Sequence, residues 1–215
     1  KAFKDMPFKI VDLSGDFRLD TSGVYEEWYG MKHVYPEGIE KAVFGLPELF
    51  AGEIKTAGLT ANPGCYPTSA ILGAAPLLSG GLVDPMHIIV DSKSGTTGAG
   101  VKAKTATHFS NVNDNFKAYK LKNHRHTIEI QRIFDRISGR DTIVQFTPHL
   151  LPVDRGILST IYAKPLKNTD DDSLRVRYEE FYKDAPFVRV RETPPSVKDV
   201  RASNFCDIYA AFDNR

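Results

Sequence analysis

LTANPGCYPTSAILGAAPLL, residues 59–78, reads as a strand, a break and a helix in succession. Ile71, Ala74, Ala75 and Leu78 recur at i, i+3, i+4 and i+7, the spacing of one apolar helix face. Pro67 suits the first turn, where its missing N–H leaves no bond unmade. Pro63 and Gly64 interrupt regular structure just upstream, and GLTAN (58–62) before them predicts a short strand. Cys65 therefore falls at a strand-to-helix junction, on the positive end of the helix. Unpaired N–H groups there favour an anion, are expected to lower a thiol pKa by about a unit or more, and can also hold an oxyanion. A buried, inert thiol fits the same position equally well, so the rest of the chain decides.

Working outward, HIIVDSKSG (87–95) predicts a strand that runs into the Gly-rich loop SGTTGAG (94–100). TIVQFTPHL (142–150) and GILSTIYAKPL (156–166) are strand-like runs rich in β-branched residues. HRHTIEIQRIFDRISG (124–139) predicts a helix whose apolar face is Ile130, Ile133, Phe134 and Ile137, stopped by Gly139. DDSLRVRYEEFYKDAP (171–186) predicts another, opened by Asp, closed by Pro and burying Leu174, Tyr178 and Phe181. A short helix is expected over TSGVYEEWYG (21–30), strand into turn over AVFGLPELF (42–50), and a half-exposed strand over FVRVRE (187–192). From Pro85 onward, strands and helices interleave without a regular βαβ period. The expected class is α+β: a mixed, mainly antiparallel sheet with helices packed on it.

The chain has 215 residues, 41% hydrophobic and 26% charged, with a net charge of +1. This is ordinary globular composition, and nothing in the balance points to nucleic acid or an anionic membrane as partner. No apolar run reaches the ~20 residues of a membrane span, and no signal peptide is evident. Two distant cysteines fit a reducing, cytoplasmic setting. Cys206, in the strand-like SNFCDIYAAF (203–212), reads as structural. FKIVDLS (8–14) is a nearly continuous apolar run of the kind buried on both faces of a parallel sheet. One such strand cannot make a sheet, and CDIYAAFDNR ends just after a strand pattern. The expectation is a piece of a longer protein.

His124 and His126 flank Arg125 at the predicted helix start. A His-x-His pair can ligate zinc, but the cysteines form no C-x₂-C element, so no metal site is expected. Glu129 follows His126 by one turn on the same face. A carboxylate there can orient the imidazole as a general acid/base beside a nucleophilic thiol. The loop SGTTGAG, with Ser94, Gly95, Thr97 and Gly98, can approach a phosphate or an amide through backbone N–H groups, though it is neither GxGxxG nor a P-loop. Arg18, Arg125 and Arg155 are candidate clamps for carboxylate or phosphate.

Together VDLSGDFRL (11–19), NPGCYPT (62–68), SGTTGAG (94–100), HRHTIEI (124–130) and FTPHLLPVDRGILSTIY (146–162) resemble the N-acetyl-gamma-glutamyl-phosphate reductases, NADP-dependent enzymes of arginine biosynthesis. That family is related to aspartate-semialdehyde dehydrogenase and, more distantly, to glyceraldehyde-3-phosphate dehydrogenase. The resemblance covers nearly the whole chain. It implies Cys65 as the nucleophile that forms a thioester, with His126 as general acid/base, Glu129 behind it and His124 as the alternative. It also implies hydride delivery by NADPH, a Gly-rich loop facing the cofactor, and a homodimer or homotetramer. Thr97 stands where the family often has Ser, which keeps a hydroxyl.

The resemblance further implies that residues 1–62 are a remnant of the dinucleotide-binding domain, and that residues 63–215 form the catalytic and dimerisation domain. The family's Gly-rich βα start and its last helix are not represented in the sequence. Other readings compatible with the residues are a related acyl-phosphate reductase of lysine biosynthesis or of the aspartate-semialdehyde type, a Cys-His hydrolase, and a non-catalytic interaction domain. The lysine type is disfavoured by CYPT, which has no small residue after the cysteine, and the aspartate type by the Pro-Gly between Asn62 and Cys65 and the Tyr-Pro-Thr that follows.

Overall fold

In a computed structural model that describes residues 8–214, the strand-break-helix unit lies at the centre of the molecule. The first seven residues of the 1–62 segment, and Arg215 at the other end, lie outside the described residues. Strand β1 (Ile10–Asp12) does have partners. It pairs in parallel with β3 (Leu59–Ala61), which pairs in parallel with β2 (Ala42–Phe44). The sheet order is β1-β3-β2, so β1 is an edge, and Val11 is 61% exposed rather than buried on both faces. Both partners coincide with strands expected from GLTAN and AVFGLPELF; what the local pattern does not show is their pairing with β1.

Helix α1 (Ser22–Tyr29) is capped as expected: the Thr21 hydroxyl accepts from the Val24 N–H, and Gly30 closes it in the left-handed region. A short α2 (Pro36–Ile39) follows. After β2, the expected turn is instead α3 (Pro47–Thr56), with Pro47 at its first position.

Helix α4 (Cys65–Ser79) is the core element. The predicted stripe of Ile71, Ala74, Ala75 and Leu78 is buried, and so are Tyr66, Ala70 and Leu72. The helix is covered on more than one side because it lies against α6 (His126–Ser138) as well as β4 (Val83–Ser94) and β7 (Ile157–Pro165). Pro76 lies inside α4 and cannot donate to the carbonyl of Leu72. Helix α7 (Asp171–Phe181) and the residue after it repair the gap. The Tyr182 hydroxyl donates to the Leu72 carbonyl at 2.5 Å, the Tyr178 hydroxyl to that of Gly73 at 2.6 Å, and Arg177 Nε to that of Pro76 at 3.1 Å. Asp170 caps α7 through the Ser173 N–H at 2.7 Å.

A second sheet has the order β5-β6-β4-β7, with β5 at Lys117–Ala118 and β6 at Val144–Leu150. β4 pairs in parallel with β6 and antiparallel with β7, and β5 runs antiparallel to β6. The sheet is thus mixed and mainly antiparallel. Ile88, Val90, Ser92 and Ser94 of β4 face inward, as do Val144, Phe146 and Leu150 of β6, the period of two expected of a sheet with one covered face. Between β4 and β5 the chain forms short 3₁₀ turns and α5 (Phe109–Val112). β8 (Val188–Val190) and β9 (Cys206–Ile208) pair in parallel near the end. Among the described residues no helix is long and apolar enough to cross a membrane.

Candidate active site

Cys65 is the first residue of α4. The backbone N–H groups of Tyr66 and of Cys65 itself favour the thiolate. They do not prevail. Burial among the surrounding atoms pushes the thiol above its usual range, and the Glu129 charge adds to that, with Arg18 opposing. The residue still reaches solvent, so the effect is that of a walled cleft rather than a sealed core. The lowered thiol pKa expected from the helix terminus alone is not what this surrounding produces.

The turn before Cys65 is fastened from beneath. Glu129, 1% exposed on α6, accepts the Gly64 N–H at 2.7 Å through Oε1. Its Oε2 lies 3.5 Å from Arg18 Nη1. Arg18 also donates to the Asn62 carbonyl at 2.7 Å and the Leu13 carbonyl at 3.1 Å. Burial raises Glu129 to about 7, against the lowering pull of Arg18 and the Gly64 N–H. One carboxylate and one guanidinium thereby tie the loop after β1, the turn at 62–64 and helix α6 together. Arg18 has its donors engaged with protein, which leaves less of it for a substrate carboxylate.

His126 opens α6 and packs directly on this turn. A Cβ placed on Gly64 would lie 2.5 Å from His126 Nε2, so only glycine at position 64 admits the ring. His126 Nε2 is 4.0 Å from Glu129 Oε2, within Coulombic reach but too long for a hydrogen bond. Nδ1 is buried with no hydrogen-bond partner among the described residues. Desolvation first, then His124, Arg18, Arg125 and Lys120, hold His126 down at about 3. The imidazole is therefore neutral at pH 7 in the free protein.

His124 has a different setting. Its Nδ1 accepts the His126 backbone N–H at 3.1 Å, and its ring sits edge-on to Tyr66, Tyr119 and Phe146. Burial lowers it to about 4.

Cys65, His126, His124, Arg18 and Arg125 line one cavity of about 390 Å³ together with Ser94, Gly95 and Gly98. Thr97 is turned away: its hydroxyl donates to the Asp154 carbonyl at 2.7 Å. The N–H groups of Gly95, Thr96 and Thr97 are taken by the carbonyls of Gly156, Val153 and Asp154. A Cβ on Gly95 would meet the Asp154 carbonyl oxygen at 2.6 Å, so glycine permits this close strand-to-loop approach. The loop thus lines the cavity at Gly98 and Ala99 and leaves no free N–H cradle for a phosphate at 95–97. Arg155 stands apart, with its side chain 81% exposed. Arg125 lies 4.6 Å from the centre of the Tyr29 ring. Cys206 lies in β9, with its thiol pushed up by burial to about 11.

Three wall residues had no signal in the sequence. Tyr66 donates to the His149 carbonyl, Tyr119 donates to Tyr66, both at 3.1 Å, and Lys120 comes from an irregular loop. Only the position of Tyr66 beside the cysteine could have drawn attention to it.

Gly64→Ala is expected to displace the His126 ring while leaving the backbone at ease, since φ −66° and ψ 155° suit alanine. A shift of about 1 Å of a catalytic group costs roughly 10²-fold in rate. Cys65 acylation by acetyl phosphate, followed in the variant, checks this; a wild-type rate would show that the ring's place is immaterial.

Residues 65–215 match the family described as semialdehyde dehydrogenase, dimerisation domain. A protein of Desulfotalea psychrophila named N-acetyl-gamma-glutamyl-phosphate reductase is 53% identical over 208 residues, covering 95% of this chain and 60% of that protein. One of the same name from Syntrophobacter fumaroxidans is 50% identical, covering 96% and 60%. The chain thus spans about 60% of the length of these curated relatives. Among solved structures, aspartate semialdehyde dehydrogenase II from Vibrio cholerae superposes with a TM-score of 0.61 at 15% identity, covering 90% of this chain and 59% of that one. The Francisella tularensis aspartate semialdehyde dehydrogenase gives 0.64 at 10% identity, covering 92% and 63%. These two share the fold. With a family match over most of its length, placed from the cysteine onward, the chain belongs to the semialdehyde dehydrogenases and carries their dimerisation domain.

Proposed function

We propose that this chain carries the acyl-transfer site of an NADPH-dependent reductase that converts N-acetyl-gamma-glutamyl phosphate to the semialdehyde, in cytoplasmic arginine biosynthesis. The observation that carries the reading is Cys65 at a helix N-terminus with His126 seated on the turn before it, both in one cleft. His126 is neutral and can take the thiol proton. The sulfur attacks the acyl carbon, the carbon–oxygen bond to phosphate breaks, and the proton passes to the departing phosphate. The product is a thioester on Cys65.

A nicotinamide cofactor, when bound, supplies the hydride, and Gly98 and Ala99 are the wall its ring would face. Hydride addition leaves an oxyanion on the Cys65 adduct; as that adduct collapses to the semialdehyde its carbon–sulfur bond breaks, and a proton drawn from solvent reaches the departing sulfur through His126. Sulfur suits both halves, being nucleophilic as thiolate and a workable leaving group. Glu129 and Arg18 act from beneath, by fixing the turn that presents the thiol. Self-association to a homodimer or homotetramer belongs to the same reading, from the family's description.

Acetyl phosphate added without cofactor tests it. The expected result is a thioester at Cys65, seen by mass spectrometry of the peptide, with release of a single equivalent of phosphate. Continuous phosphate release without cofactor would mean a hydrolase, and no adduct at Cys65 would remove the nucleophile.

A further inference from the structure

Among the described residues the cavity wall holds five cations, Arg18, Lys104, Lys117, Lys120 and Arg125, and no carboxylate. Three are occupied. Arg18 is bound to Glu129 and two carbonyls, Lys104 donates to the Ala99 carbonyl at 3.1 Å, and Arg125 lies over Tyr29. Neither Lys117 nor Lys120 has a side-chain hydrogen bond or ion pair among the described residues. Their backbone is nonetheless held firmly. Lys117 pairs with Leu150 and Ala118 with His149 across β5 and β6. The Tyr119 N–H donates to the Pro148 carbonyl at 3.0 Å, and its hydroxyl to Tyr66.

Lys120 also has φ +48°, a left-handed conformation unfavourable for residues other than Gly, Asn and Asp. Lys122 on the same loop shares it at φ +67°, so the conformation shapes the loop and the cavity wall distinguishes Lys120 from its neighbour. The Lys120 charge reaches His124 and His126, lowering both. An unpaired cation and a place on the wall shared with His126 converge on one residue.

We propose that Lys117 and Lys120 form the phosphoryl subsite of the cavity, holding the dianionic phosphate of the acyl phosphate as Cys65 attacks. This rests on the acyl-phosphate reading above. Burial is the main cause that holds His126 neutral, and Lys120 adds to it; an anion seated on the lysines offsets only that added part.

The test follows Cys65 acylation on this chain as acetyl phosphate is titrated. Lys120→Asn removes the charge and suits the left-handed backbone; Lys117→Gln removes the second charge. Each is expected to raise the half-saturating concentration about 10- to 100-fold, the loss of one charge-assisted contact. Lys122→Gln, on the same loop but off the cavity wall, is expected to behave as wild type. Wild-type concentration dependence in both cavity variants would overturn the proposal. So would variants that weaken NADP binding and leave the acetyl phosphate dependence intact, since the lysines would then serve the dinucleotide's phosphates. If the wild-type chain is not acylated at all, the acyl-phosphate reading fails by itself. Inorganic phosphate, followed by its ³¹P line width, then decides the subsite: lysine-dependent binding upholds it, and binding indifferent to both variants removes it.

Discussion

Cys65→Ser is expected to lower semialdehyde formation in the enzyme by roughly 10⁴–10⁶-fold, the scale of losing a covalent nucleophile, while the melting temperature stays put. The side chain reaches solvent at the first position of α4, so a hydroxyl of nearly the same size disturbs no packing. Two N–H groups can stabilise a thiolate there, but an alkoxide lies far out of their range. The wild-type thiol should itself behave as a restrained nucleophile. Burial holds its pKa above the ordinary value, so at pH 7 iodoacetamide should alkylate it no faster than free cysteine, with the rate climbing as pH passes beyond the usual thiol range. Rapid alkylation at neutral pH would mean that the helix terminus wins over burial. Substantial activity in the serine variant would place the chemistry on another group.

The junction at 59–78 was legible because each of its signals is local. A strand, a Pro-Gly break, a first-turn proline and a 3.6-residue apolar period are all properties of neighbours in sequence. The same holds for the apolar face and Gly139 stop of α6 and for the acidic start of α7, but α7 ends at Phe181 rather than at Pro186, with Phe181 half-buried and Tyr182 buried in its stead. The strands that partner β1 were legible in GLTAN and AVFGLPELF, but their parallel pairing was not, since it is decided by what such short strands pack against. Nor was the engagement of Arg18 and Glu129, 111 positions apart in sequence, which fixes the turn and leaves His126 4.0 Å away. Sequence spacing put Glu129 and His126 on one face; the Gly64 N–H and the guanidinium then claimed the carboxylate. The thiol pKa failed to follow for a related reason: the helix terminus is visible in the sequence, whereas the walls that desolvate the sulfur come from distant segments. Lys117 and Lys120 sit in KAYK, which as a string is any solvated lysine pair.

His126→Asn is expected to lower turnover by roughly 10²–10⁴-fold, the usual contribution of a general acid/base, and His124→Asn by much less. The asymmetry follows from their partners. His124 spends Nδ1 on the His126 backbone N–H and is boxed by aromatic rings, whereas His126 lies on the nucleophile's own turn. A second readout separates a lost base from a lost fold. His126 is held neutral in the folded chain, at about 3, while an unfolded histidine titrates near 6.5. The unfolded state therefore binds the proton first as pH falls, and the stability tied to this group is full above about 6.5 and is lost on the way down to about 3. Glu129 has the opposite sign: with its folded value at about 7, its share is lost as pH rises from the ordinary carboxylate range to 7. Asparagine at 126 removes the first dependence only. Melting temperatures across pH 4–7 should then fall less steeply toward acid in His126→Asn than in the wild type, alongside the loss of turnover. An unchanged acid slope would mean that His126 is protonated in the folded chain, and a larger loss in His124→Asn would exchange the roles of the two histidines.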